Sequence, residues 1–239
     1  MKISFYYIIL LLMNYITALP QQTELRPITV EWEKTFGGNA HDFGATVYPT
    51  QDGGYIVGGD TKSFGAGSRD ILLIKTNSSG NKMWQKTYGG SKDEYIHGSS
   101  GLIETSDGGF IICGVTTSSG SGMMDFYLIK INNSGDLEWE KFYGGKDDED
   151  PLSILEIENR NYIVAGYTKS FGAGDRDIFL VKVDSDGNKM WETTLGGIGF
   201  DAAVCFDTIS NDEFIVCGET KNYGNGGKDI YLVKCMEIR

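Results

Sequence analysis

Basic residues are scarce. Twenty-one Lys and Arg stand against 33 Asp and Glu, a net charge of −12. That excludes the positive footprint by which a chain holds nucleic acid or anionic lipid. Only four prolines occur in 239 residues, so strands have few interruptions. There are two histidines, His41 and His97, and neither lies in a nucleophile motif; the stretch HGSSG at 97–101 is not G-x-S-x-G. The four cysteines form no C-x-x-C and no Cys/His metal spacing. No phosphate-cradling loop of a common type is present. Beyond the first 20 residues no segment is apolar enough to cross a bilayer. Enzyme chemistry is thus poorly supplied, except for carboxylates.

What is abundant is glycine, at 33, with 13 Tyr and 12 Phe. Many glycines with many aromatic and β-branched residues predict an all-β protein with tight turns. Residues 1–18 read as a signal peptide: Lys2, an apolar run from Phe5 to Met13, and Ala18 at the cut. Residues 19–28 form an N-terminal leader segment, and 29–239 the folded domain. The expected product is secreted and extracellular, with no membrane insertion.

The chain repeats. Trp32, Trp84, Trp139 and Trp191 are spaced by 52, 55 and 52, and open the runs WEKTFGG, WQKTYGG, WEKFYGG and WETTLGG. Such periods mean solenoids, propellers or arrays. Each copy reads as four strands. In the first they are 43–50, 55–61, 70–76 and 82–88, joined by an Asp-Gly turn, a Gly-rich loop and a Ser-Gly turn. The third strand is nearly all apolar, as expected when both faces are buried. Four antiparallel strands per copy fit a blade, so the expected fold is a four-bladed β-propeller. Its closure is expected from the N-terminal strand 30–36, which would complete the blade that the last strand leaves one short, removing an exposed edge. An open arc, or two chains making eight blades, are the alternatives.

The pattern W-x-K-T-[FY]-G-G, D-G-G-[YF]-I-[VI]-x-G, S-F-G-A-G-x-R-D-I-x-L-x-K and G-N-K-M-W resembles the secreted β-propeller repeats of bacterial and archaeal surface proteins. Its last hairpin is also similar to the tryptophan-docking blades of quinoproteins. The resemblance covers 30–239 and implies a fold rather than an activity, since such scaffolds have many uses. The second copy departs most, with TSSGSGMM at 117–124 in place of SFGAG.

Three groups could carry function. The tryptophans read as core wedges between blades. Ten residues after each comes an acid: Asp42, Glu94, Glu149 and Asp201. At a channel mouth the four would suit a hard cation such as calcium, with Asp147, Asp148 and Asp150 deepening the field. The local alternative has each acid bonding the backbone of its own turn. The Gly-rich loops place Phe64, Phe171 and Tyr223 beside Arg69, Arg176 and Lys228, a combination suited to a glycan or protein partner. The alternative there is that the rings tuck under their own loops. The third-strand acids Asp70, Asp125, Asp177 and Asp229 read as loop braces. Asn77 and Asn132 begin glycosylation sequons on the opposite face. Cys205 and Cys217 would lie directly opposed, and could form a disulfide, if the intervening turn has three residues; with two they point apart. The expected function is a secreted, non-enzymatic binding module. The alternatives are a hydrolase using channel-mouth carboxylates or a structural surface protein.

Overall fold

The computed structural model describes residues 29–98, 100–210 and 212–237. The expected signal peptide and leader, 1–28, lie outside them. The chain divides into two units at Glu33/Lys34. Of the first, residues 29–33 carry no regular structure, and Val30 and Trp32 are exposed.

The second unit is all-β, with four antiparallel sheets in chain order. Sheet one is β1 (Asp42–Pro49), β2 (Tyr55–Thr61), β3 (Asp70–Thr76) and β4 (Lys82–Tyr88). Sheet two begins with a split strand, β5 (Glu94–Tyr95) and β6 (Leu102–Glu104), followed by β7 (Phe110–Thr116), β8 (Asp125–Ile131) and β9 (Leu137–Tyr143). Sheet three is β10 (Glu149–Ile157), β11 (Asn161–Thr168), β12 (Asp177–Val183) and β13 (Lys189–Leu195). Sheet four is β14 (Asp201–Ser210), β15 (Glu213–Thr220) and β16 (Asp229–Met236).

Sequence-predicted bounds for β2, β3 and β4 match the structure, because alternating side chains between glycine turns leave little freedom of register. The three extra residues of the second copy fall between β5 and β6. The other first strands carry a bulge at that place, between Gly44 and Thr46, Pro151 and Ser153, and Ala203 and Cys205. Bulges re-aim side chains and cluster beside functional sites.

Consecutive sheets pack face to face. One apolar cluster joins sheets one and two, through Ile56, Ile71 and Leu73 against Ile96, Phe110 and Ile129. A second joins sheets two and three, and a third joins sheets three and four. The outer-strand tryptophans are wedges, as expected. Trp84 meets Phe110, Trp139 meets Tyr162, and Trp191 meets Phe214, each on the following sheet. Their indole N–H groups donate to the Asn133 carbonyl, the Ser185 carbonyl and Glu237 Oε1.

The expected closure is not observed. The strand read at 30–36 does not form, and sheet four has three strands among the described residues. The three packed interfaces consume the facing sides in order. On the far side of sheet four Ile230 and Leu232 are exposed; on the far side of sheet one Val47 is exposed while Leu72 and Ile74 are buried, with Phe36 beside them.

One described turn takes positive φ without glycine. Between β10 and β11, Glu158-Asn159-Arg160 replaces Asp-Gly, and Asn159 and Arg160 both take positive φ, 60° and 57°. Arginine is strained there. Arg160→Gly is expected to raise stability by about 1 kcal/mol in urea unfolding.

Candidate functional site

The four acids after the Gly-Gly pairs start the first strands of their sheets. Each is tied to its own crossover. Glu94 accepts from the Gly90 amide (2.7 Å), the Thr116 hydroxyl (2.8 Å) and the Ser118 amide (3.2 Å). Glu149 accepts from the Gly145 amide (2.6 Å), the Thr168 hydroxyl (2.6 Å) and the Ser170 amide (3.1 Å). Asp201 takes the Gly197 amide (2.9 Å) and the Asn222 side-chain amide. Asp42 takes the Gly38 amide (2.7 Å), the Thr61 hydroxyl and the Ser63 hydroxyl (2.8 Å). The Thr61 hydroxyl, helped by the Gly38 amide and opposed by desolvation, holds the Asp42 carboxyl below the usual range. These carboxylates are braces. Among the described residues no group of three or more His, Cys, Asp or Glu side chains could hold a metal ion. Both carboxylate oxygens of Asp42, Glu94 and Glu149 already accept from backbone amides and hydroxyls, whereas Asp201 accepts through Oδ2 only and its buried Oδ1 has no partner.

The glycines of these crossovers are required by space. A methyl group on Gly144 would collide with Asp125 Oδ1 and Glu149 Oε2. Three of the four third-strand acids also brace loops, while the Oδ2 of the fourth, Asp229, is buried without a partner. Asp70 accepts from the Gly67 amide, Asp125 from Gly122, and Asp177 from Ala173 and Gly174. Burial pushes the Asp125 and Asp177 carboxyls up.

The loop-face residues have partners as well. Phe171 packs on Phe179 (centroids 5.5 Å apart) and Tyr223 stacks on Tyr231 (5.3 Å). The Phe64 and Phe171 rings also lie against Gly38 and Gly145 of the incoming crossovers. All three rings remain partly open to solvent. Arg69 forks onto Asp60 (2.7 and 3.0 Å) and lies 4.7 Å from the Tyr95 ring centre. Arg176 sits over Tyr167 (4.3 Å) and Phe200 (5.3 Å). Lys228 pairs with Glu219 (2.6 Å) and lies over Phe200 (4.3 Å).

Between these contacts lies a pair that sequence reasoning did not single out. His97 Nδ1 is 2.5 Å from Asp150 Oδ2, linking the insertion of sheet two to β10. Asp150 is buried, while the His97 side chain is 56% exposed. Tyr95 meets the His97 ring edge-on (5.2 Å), and Tyr167 donates to Asp150 at 3.4 Å. Arg69, Tyr95, His97, Asp150, Tyr167, Arg176, Phe200 and Lys228 thus form one continuous strip across all four sheets. The signal that could have found it is the 55-residue spacing: it marks the insertion that carries His97 to the next sheet. No family model and no curated protein matches the chain.

The Asp150 hydrogen bond raises the pKa of His97, against desolvation and the nearby Arg69 charge. A raised imidazole pKa contributes stability that is fully present below the unfolded value, about 6.5. That contribution is lost as pH rises through the folded value. The melting temperature is therefore expected to decline above about pH 6.5, and His97→Gln is expected to flatten that decline.

Cys205 and Cys217 are register partners and their thiols interact, with burial and then Cys217 pushing the Cys205 thiol up. A second irregularity, between Thr208 and Ser210, supplies the odd residue that opposes them. Both are free thiols here. In protein folded under oxidising conditions, thiol titration in denaturant is expected to find two free cysteines of the four. Reduction should cost about 2–3 kcal/mol. Asn77 and Asn132 lie in the tight turns on the opposite face. Their Oδ1 atoms accept from the Ser79 and Asn81 amides, and from the Ser134 and Asp136 amides.

Proposed function

We propose that the chain is a secreted β-propeller repeat protein, each sheet a blade, that binds a glycan or protein partner on its loop face without chemistry. One observation carries this reading: the strip of rings and charged groups from Arg69 to Lys228. Aromatic faces beside fixed donors and acceptors suit the apolar and hydroxyl surfaces of a sugar, or a polar loop of a protein. The braced crossover carboxylates support recognition over reaction, because all of their oxygens but Asp201 Oδ1 already accept hydrogen bonds. Among the described residues no helix is long and apolar enough to cross a membrane.

The hydrolase reading retains one supporting observation, the half-exposed imidazole on a buried carboxylate, an arrangement that can serve as a general base. Among the described residues no hydroxyl or thiol is bonded to His97. The test is a glycan array and pull-down with residues 19–239. Binding that falls at least tenfold in Arg176→Ala or Tyr223→Ala supports the proposal. Silence on the array, together with cleavage of a polysaccharide panel that His97→Gln abolishes, overturns it.

A further inference from the structure

The uncovered ends of the sheet series are not ordinary surface. The second and fourth residues of β3, β8 and β12 are Ile71 and Leu73, Phe126 and Leu128, and Ile178 and Leu180. All six are completely buried beneath the following sheet or within the interface. Their counterparts in β16, Ile230 and Leu232, are 85% and 63% exposed. The lysine two places on behaves alike: Lys75, Lys130 and Lys182 are buried, and Lys234 is 56% exposed. At the other end, Val47 is 63% exposed. Its counterparts Leu102, Ile154 and Phe206 are buried against the preceding sheet. The chain therefore leaves open, at β16 and at β1, positions that it covers three times internally, although Leu72 and Ile74 on the same side as Val47 are already buried with Phe36 beside them.

The approach to sheet one carries the same message. The Gly38 amide donates to Asp42 and the Ala40 amide to Ser63, and Lys62 donates to the His41 carbonyl. Gly90, Lys92 and Thr117 make the matching bonds where the outer strand of sheet one crosses into sheet two. Residues 36–41 thus follow the route of a crossover leaving a preceding sheet's outer strand. The run ahead of them, WEKTFGG from Trp32, has the outer-strand pattern, and sheet four is the sheet with three strands.

We infer that the occupant of both ends is a second copy of this chain, the last face of each copy packing on the first face of the other. Residues 30–36 of one copy then supply the fourth strand of the other's sheet four. Propellers run to about eight blades. With four sheets in one copy, one further copy is the only whole addition that stays within that range. The contact is head-to-tail and closes after two copies, which removes both exposed faces and the free edge of β16. This rests on reading the sheets as blades, and not on what the loop face binds.

The experiment is sedimentation equilibrium of residues 19–239, with melting curves of three variants. The expected mass is twice that of one chain. Leu232→Asp and Val47→Asp should each halve that mass while keeping the β-type circular dichroism, since both side chains are exposed in the single chain. Leu180→Asp, in a buried interface, should abolish cooperative melting or lower its midpoint far more than either. A wild-type monomer overturns the inference. If Leu232→Asp then melts as low as Leu180→Asp, the chain closes on itself. If it melts like wild type, the end faces are open surface. If instead Leu180→Asp is harmless, the blade reading fails as well.

Discussion

Replacing Glu149 with alanine will lower the stability of the folded chain by about 2–4 kcal/mol, read as a drop in the urea midpoint with an unchanged slope. The side chain is completely buried and accepts three hydrogen bonds, two of them from backbone amides. Removing the acceptor strands those donors, and a buried unsatisfied donor costs roughly 1–3 kcal/mol. Glu149→Gln will cost less, because its carbonyl oxygen still accepts. The sign separates two readings of the acid set. Carboxylates held near one another to await a cation repel, so deleting one would stabilise the metal-free protein. Carboxylates that brace their own crossovers destabilise it when deleted.

The double variant Asp107→Asn, Glu138→Gln will also cost about 2–4 kcal/mol, whereas Lys130→Met will be neutral or stabilising. Lys130 is buried, with its ammonium 3.1 Å from Asp107 and 2.9 Å from Glu138. Neutralising both acids leaves a buried charge with amide partners and its own neighbour's carbonyl, Ile131 O at 3.3 Å. Removing the lysine leaves two partly exposed acids that water can solvate. The acids' exposure keeps the cost below that of a fully enclosed pair. Urea unfolding of the three proteins checks both signs at once.

Much of the fold was legible in the sequence because the repeat ties local pattern to register. Strands 55–61, 70–76 and 82–88 could be read to the residue from glycine turns and alternation. The tryptophan wedges followed from one large ring recurring at one place in each copy. The end-to-end closure was not legible. It depends on how far each sheet turns from the last, and that angle is set by packing between faces rather than by the order of apolar residues. The site was legible in parts. Arg69, Arg176 and Lys228 were found by position, but their pairing with Asp60, Tyr167 and Glu219 was not. The His97–Asp150 contact joins residues 53 apart through an insertion with no counterpart in the other copies. Opposition of Cys205 and Cys217 turned on the bulge between Thr208 and Ser210, which single-residue patterns do not report.

The central claim is that the acids of the four crossovers serve as braces within the chain, each accepting hydrogen bonds from its own crossover, rather than as ligands of a cation. Melting residues 19–239 in calcium and then in chelator tests this most directly. The account predicts superimposable curves. A cation bound at 100 times its Kd adds about 2.7 kcal/mol. For a chain of this size that is a rise of roughly 5–10 °C, and a rise of that order, abolished by Glu149→Gln, would contradict the claim.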